Sequence, residues 1–212
     1  MLEYLFFTLS NRSKKMKIIL FRHGEKQKSD SKDKNVRRSV CLTPEGITQI
    51  QVLGVKLKER FPELIGIPII YSSPYTRTIQ SAEIVRGILD IKEIVAFQEL
   101  QEFYPIDEYD KPKDFRQGLM KKALINPEWI GPNGRSLNNK LDDFENFLLT
   151  LPESDISLVS THGALIRNFG YRLSPELRPT DEEILHSTIM EGGYTLIERS
   201  NKVLKLCEFN VD

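Results

Sequence analysis

From Lys17 onward, short and nearly continuous apolar runs alternate with longer stretches in which apolar residues recur every three or four positions. A continuous run is the mark of a strand covered on both faces, and the three-to-four spacing is that of an amphipathic helix. Four runs predict strands: 17–21, 67–71, 94–97 and 156–160. Segments 194–199 and 203–208, separated by Ser200-Asn201-Lys202, predict a C-terminal hairpin. Thr43 is placed to cap a helix with Pro44 at its first position, after which Ile47, Ile50, Leu53, Leu57 and Phe61 share one face. Ser73-Pro74 repeats that start signal for a helix through Leu89. Leu137, Leu141, Phe144, Leu148 and Leu151 form a third stripe facing the core, and a fourth helix should run from His162-Gly163 to Arg172. Strands alternating with helices predict an α/β fold, a three-layer sandwich with a mostly parallel central sheet.

Two stretches lack either period. Lys26 to Arg38 holds six basic residues and two aspartates, which predicts a solvated loop carrying local positive charge. Tyr104 to Arg135 contains Pro105, Pro112, Pro127 and Pro132 around Trp129 and reads as an excursion with one short helix over 115–124. At the N-terminus, Leu2 to Leu9 is too short to span a bilayer. Its basic residues follow the apolar run, the reverse of a secretory signal, and no small-residue cleavage site is present. Residues 1–15 are therefore read as an extension and 16–212 as one domain, with no membrane association.

Composition narrows the ligand. The 212 residues carry 30 Lys and Arg against 30 Asp and Glu, which argues against a nucleic-acid surface, so an anionic ligand must be met by local charge. Two cysteines, Cys41 and Cys207, cannot build a disulfide framework, and three histidines offer no Cys/His zinc spacing. A cytoplasmic protein without a metal is expected. Asp142-Asp143, off the leucine stripe, reads as a solvated pair. No Gly-x4-Gly-Lys-Ser/Thr loop, Gly-x-Gly-x-x-Gly fingerprint or Gly-x-Ser-x-Gly elbow occurs. Cys41 is no phosphatase nucleophile, because Ile47 stands where a Cys-x5-Arg loop needs arginine.

In an open α/β sheet, ligands bind at the carboxyl ends of the strands. The first predicted strand ends in Arg22-His23-Gly24-Glu25, the second in Ser72-Ser73-Pro74 with Arg77 just beyond, and the fourth in Thr161-His162-Gly163. The third leads into Glu99-Leu100-Gln101-Glu102. Two guanidiniums and converging helix N-termini suit a phosphoryl group. A neutral imidazole there can act as nucleophile and form a phosphorylated nitrogen. Gly24 suits a backbone that passes close to the ligand. The leaving oxygen needs a proton, and Glu99 and Glu102 are the candidate acids. His186, ahead of Ser187-Thr188, lacks such a setting and is assigned a structural or exposed role.

Arg22-His23-Gly24, Leu42-Thr43-Pro44-Glu45-Gly46, the segment from Ser72 to Ala82, Leu100-Gln101-Glu102 and Thr161-His162-Gly163 resemble, in order, the motif set of the histidine phosphatase superfamily, which includes the phosphoglycerate mutases. The resemblance implies a phosphoglycerate mutase-like fold and a metal-independent phosphomonoesterase acting on a small phosphoester without a cofactor. It implies His23 as the phosphorylated nucleophile, and Arg22, Arg77 and His162 as holders of the phosphoryl oxygens. Gly24 and Glu25 become further substrate contacts. Glu102 becomes proton donor and base, with Glu99 in reserve. Lys26-Gln27-Lys28 follows Arg-His-Gly-Glu where mutases have a longer Trp- and Asn-containing segment, so hydrolysis is expected ahead of phosphoryl transfer to an acceptor. Ser39-Val40-Cys41 replaces the family's Asp before Leu-Thr, and Gly134-Arg135-Ser136 its Gly-Glu-Ser. Glu102 and the excursion set the chain apart from the small phosphohistidine phosphatases. The remaining alternatives are a mutase and a catalytically silent module that binds phosphorylated ligands.

Overall fold

The computed structural model describes residues 15–31, 33–105, 113–180, 183 and 189–212. Fourteen of the fifteen residues of the expected N-terminal extension, part of the excursion and His186 lie outside them. Six strands form one sheet: β1 (Met16–Arg22), β2 (Ile69–Ser72), β3 (Glu93–Ala96), β4 (Ile156–Thr161), β5 (Tyr194–Ser200) and β6 (Val203–Val211), in the order β3-β2-β4-β1-β5-β6. The pairings from β3 to β1 are parallel, and β5 and β6 add an antiparallel edge. β4 is buried along its whole length, its Ser157, Ser160 and Thr161 included, whereas β5 alternates in burial. Asn201 and Lys202 both have positive φ, the two-residue turn whose twist matches a hairpin.

The described helices are α1 (Lys34–Arg38), α2 (Pro44–Arg60), α3 (Thr76–Leu89), α4 (Lys113–Ile125), α5 (Leu137–Thr150) and α6 (Gly163–Leu173), with short 3₁₀ turns at Pro62–Leu64, Gln98–Leu100 and Pro175–Leu177. Ile50, Leu53, Leu57, Ala82, Val85 and Leu89, from α2 and α3, join one core on one face of the sheet. Leu141, Phe144, Leu148, Leu165, Ile166 and Phe169, from α5 and α6, build the core on the other. The expected α/β sandwich is thus present, with its mostly parallel sheet between two helical layers. No helix among the described residues is long and apolar enough to cross a membrane.

Three expectations need correction. Ile47 is 41% exposed, because the buried face of α2 runs through Gly46, Ile50, Leu53, Gly54 and Leu57. Glycine is what lets α2 approach its neighbours: a Cβ on Gly54 would lie 2.6 Å from Ile88 Cδ1. α3 starts at Thr76, not at Ser73-Pro74. Ser73 instead prolongs the pairing of β2 with β4, its N–H donating to the Ser160 carbonyl at 3.0 Å. The basic loop contains one helical turn, α1, capped by Asp33, whose side chain accepts from Asn35 N at 2.7 Å. Five residues are too few to show a period in sequence.

Candidate active site

Strand register builds the site. Arg22 pairs with Thr161, and both Phe21 and Ser72 pair with Ser160, so β1, β2 and β4 end level. His23, Ser73 and His162 are the next residues out in each case. β3 lies at the sheet edge, yet its continuation crosses toward β4 because Thr161 Oγ1 donates to the Leu100 carbonyl at 2.8 Å. That bond swings Leu100-Gln101-Glu102 over the end of β2.

His23 and His162 are buried, with ring centroids 5.3 Å apart edge to face. His23 Nδ1 lies 2.7 Å from the Gly24 carbonyl oxygen, and Arg77 Nε donates to His23 Nε2 at 3.1 Å. A carbonyl has no proton to give and a guanidinium no lone pair to offer, so His23 carries its hydrogen on Nδ1 and leaves Nε2 bare. His162 has the opposite tautomer: Arg77 Nη2 lies 3.3 Å from Nδ1, and Nε2–H donates to Ser73 Oγ at 2.8 Å. Arg77, 3% exposed, therefore bridges both rings and lies over Tyr75, 4.7 Å from its centroid.

Burial, followed by the nearby Arg77 charge, pulls the His23 imidazole down to about 3, and burial and the same guanidinium hold His162 well below its ordinary value. Both rings are neutral at neutral pH. In the unfolded chain His23 titrates near 6.5. Between that value and about 3 the unfolded state binds the proton that the folded state refuses. Stability is full above the unfolded value and falls by about 1.4 kcal/mol per pH unit as acid is added through this window. Urea denaturation at pH 7 and pH 5 should show the wild type losing about 2 kcal/mol more than His23→Asn. Equal losses would mean that His23 titrates freely in the fold.

Glu102 shows the opposite shift. Burial raises its carboxyl above the ordinary range against the pull of Arg77, Arg22, Arg167 and Lys140, which shifts the balance toward the protonated form. Its Oε1 is buried without a hydrogen-bond partner, and Oε2 lies 4.0 Å from His162 Nδ1. Glu99, the reserve acid, is exposed on a 3₁₀ turn over Gln98–Leu100.

The other expected residues divide. Arg22 is at the site, with one guanidinium nitrogen on the Ile189 carbonyl, another on Glu191 Oε1 at 2.9 Å, and a buried Nε without a partner. Glu25 points elsewhere: its Oε2 accepts from Thr43 Oγ1 at 2.6 Å, which ties it to the cap of α2. Gly24 is required by packing as well as by any ligand, since a Cβ would lie 2.2 Å from the Gly46 carbonyl oxygen. Gly46 is its counterpart, with a Cβ position 2.1 Å from the Glu25 carbonyl oxygen. Gly46→Ala is expected to cost about 2–3 kcal/mol, because backbone must yield on both sides. Urea denaturation checks this, and a loss below about 0.5 kcal/mol would show that the loop shifts freely.

Ser73, Glu191 and Lys140 also reach the site, although no pattern in the sequence marks them. Lys140, on the buried face of α5 and 7% exposed, donates to the Glu99 carbonyl at 2.6 Å and is pushed down to about 8, chiefly by burial. It lines a cavity of about 260 Å³ together with Arg38, Tyr75, Gln101, Glu102 and Tyr104. The acidic pair Asp142 and Asp143 does not line this cavity but meets Arg172 and Arg135 at the surface, Arg135 being at the cavity's rim. No three His, Cys, Asp or Glu side chains converge on a metal-binding arrangement among the described residues.

The class defined here is a three-layer α/β protein that buries two neutral histidines beneath a shared guanidinium at its strand ends. The chain belongs to the histidine phosphatase superfamily, branch 1, whose family model matches residues 18–206. Its fold is similar to that of the α-ribazole phosphatase from Shigella flexneri, at 22% identity and a TM-score of 0.62, over 92% of this chain and 96% of that one. It is also similar to a mycobacterial glucosyl-3-phosphoglycerate phosphatase, at 14% identity and a TM-score of 0.67, over 93% and 100% of the two chains. Complexes of that mycobacterial enzyme with inorganic phosphate and with VO3 are among the similar structures. No curated protein matches the chain significantly in sequence.

Proposed function

We propose that the protein is a metal-independent phosphomonoester hydrolase that works through a phosphohistidine on His23. The observation that carries this reading is the bare Nε2 of a neutral, buried His23 held 3.1 Å from Arg77 Nε. The phosphate and VO3 complexes of the similar mycobacterial phosphatase support an oxyanion as occupant.

In this reading the phosphoryl group displaces the Arg77 contacts with both rings and lies among Arg22, Arg77 and His162, whose hydrogen then sits on Nδ1 while Nε2 accepts from the Ser73 hydroxyl. These groups spread its negative charge as the ester bond lengthens. His23 Nε2 bonds to phosphorus as the phosphorus–oxygen ester bond breaks. The electron pair leaves on the alcohol oxygen, which takes the proton of Glu102. Nδ1–H stays on the Gly24 carbonyl and shares the charge gained by the ring. Water then adds to phosphorus, the nitrogen–phosphorus bond breaks, and its electron pair returns to Nε2. Glu102, now a carboxylate, takes the proton from that water and is ready for another cycle.

Acid-quench trapping with a labelled phosphomonoester tests the proposal. Acid-labile, alkali-stable label on the peptide holding His23 is expected within one turnover. Label stable to acid, or label on a peptide without His23, would overturn it.

A further inference from the structure

The cavity beside Glu102 is more cationic than the proposed phosphoryl transfer needs. Arg38, Arg135 and Lys140 line it, against one carboxyl among the described lining residues, Glu102, which burial shifts toward the protonated form. Lys140 is the strongest indication. A buried ammonium is normally paired with an anion, yet its hydrogen-bond acceptor here is the neutral Glu99 carbonyl. An ammonium has three hydrogens, so donors remain for the cavity. Arg38 gives the second indication: its buried Nε lacks a partner, while Nη2 lies 3.3 Å from Gln101 Oε1.

Tyr75 links this cluster to the phosphoryl pocket. Its ring centroid lies 5.5 Å from the guanidinium carbon of Arg38 and 4.7 Å from that of Arg77. One aromatic ring thus separates the two cationic clusters, the distance of a short carbon skeleton. A volume of about 260 Å³ is at the small end of ligand pockets and suits an alcohol of a few carbons.

The geometry points to a second anion subsite formed by Lys140, Arg38 and Arg135, so that the substrate is a small phosphomonoester whose alcohol part carries a carboxylate or a second phosphate. Arg135 is the rim member, since it also pairs with Asp143 at the surface. The inference rests on the phosphatase reading of the His23 pocket and adds the substrate class.

Three phosphonates that resist hydrolysis test it on the wild-type protein by calorimetry: butylphosphonate, 4-phosphonobutanoate and propane-1,3-diphosphonate. The two compounds with a second anionic end, or one of them, should bind at least about tenfold tighter than butylphosphonate. Their order separates carboxylate from phosphate as the preferred group. Lys140→Met should reduce the preference to less than about threefold, and Lys140→Arg should keep it. The ammonium faces Glu99, Glu102, Arg135 and Asp143, and the preference of the wild type should fall as pH rises past about 8 while that of Lys140→Arg stays level. Equal affinities for all three compounds in the wild type, or an undiminished preference in Lys140→Met, would overturn the subsite. Failure of the phosphatase reading is separate: selective binding of the doubly anionic phosphonates without turnover of the matching phosphate esters would count against hydrolysis and leave the subsite standing.

Discussion

His23→Ala is expected to lower kcat/KM for every phosphomonoester by at least about 10⁴-fold, about 5.5 kcal/mol of transition-state free energy. The size follows from what remains. Arg77 and the unpartnered Nε–H of Arg22 still offer donors to the phosphoryl oxygens, so binding survives while the atom that forms the covalent bond is gone. Water cannot take its place readily, because the pocket admits little solvent around His23, 4% exposed. Two further measurements separate loss of the nucleophile from loss of the fold. Inorganic phosphate should bind the variant within a few-fold of wild type, and added imidazole should restore part of the turnover by filling the vacated space with a bare ring nitrogen. A variant that keeps more than about a tenth of its activity would place the covalent step on another residue.

The parts of this arrangement that are legible in the sequence are those fixed by strand endings. His23, Arg77 and His162 each stand within a few residues of a short apolar run, and parallel register then brings them together without any information from the intervening chain. Glu102 is legible to the level of two candidates. What resolves its place is the Thr161 hydroxyl on the Leu100 carbonyl, a contact across 61 residues that no local pattern encodes. Lys140 is hidden for a different reason. It lies within the arc of a leucine stripe, where a long polar side chain reads as an interruption until its ammonium is seen to reach past the core.

Gly46 and Glu25 show the limits of reading residues by type. Ile47 falls on the expected buried face of α2 because it is apolar, and Gly46 beside it carries no such signal although it is the residue in contact with the His23 loop. Glu25 follows Arg-His-Gly directly and so reads as a ligand contact. Its carboxylate instead holds the hydroxyl of Thr43, the same hydroxyl that accepts from Gly46 N at 3.0 Å to cap α2. The loop that carries His23 is thereby fastened to a helix N-terminus by packing and by hydrogen bonds at once. That attachment serves the orientation of His23, whose Nδ1–H depends on where the Gly24 carbonyl points.

Glu102→Gln should separate substrates by their leaving groups. An alkoxide leaves poorly without a proton, so kcat/KM for alkyl phosphates is expected to fall about 10³-fold. A nitrophenolate leaves unaided, so kcat/KM for nitrophenyl phosphate should change less than about tenfold. The amide keeps the shape of the carboxyl but has no acidic proton to give and no base to offer water. Release of phosphate from His23 should therefore slow for every substrate, and nitrophenyl phosphate should show a burst of one nitrophenolate per protein before a slower steady rate. The pH profile adds an independent sign. Burial holds the Glu102 proton above the ordinary carboxylate range, so kcat/KM of the wild type for alkyl esters should fall as pH rises through that raised value, and the fall should vanish in the variant. Glu99→Gln, at an exposed position, should leave all of these quantities within about threefold of wild type. Equal losses on alkyl and nitrophenyl esters in Glu102→Gln would show that the side chain supports the pocket without giving up a proton, and a leaving-group dependence that appeared in Glu99→Gln instead would move the acid to the exposed turn.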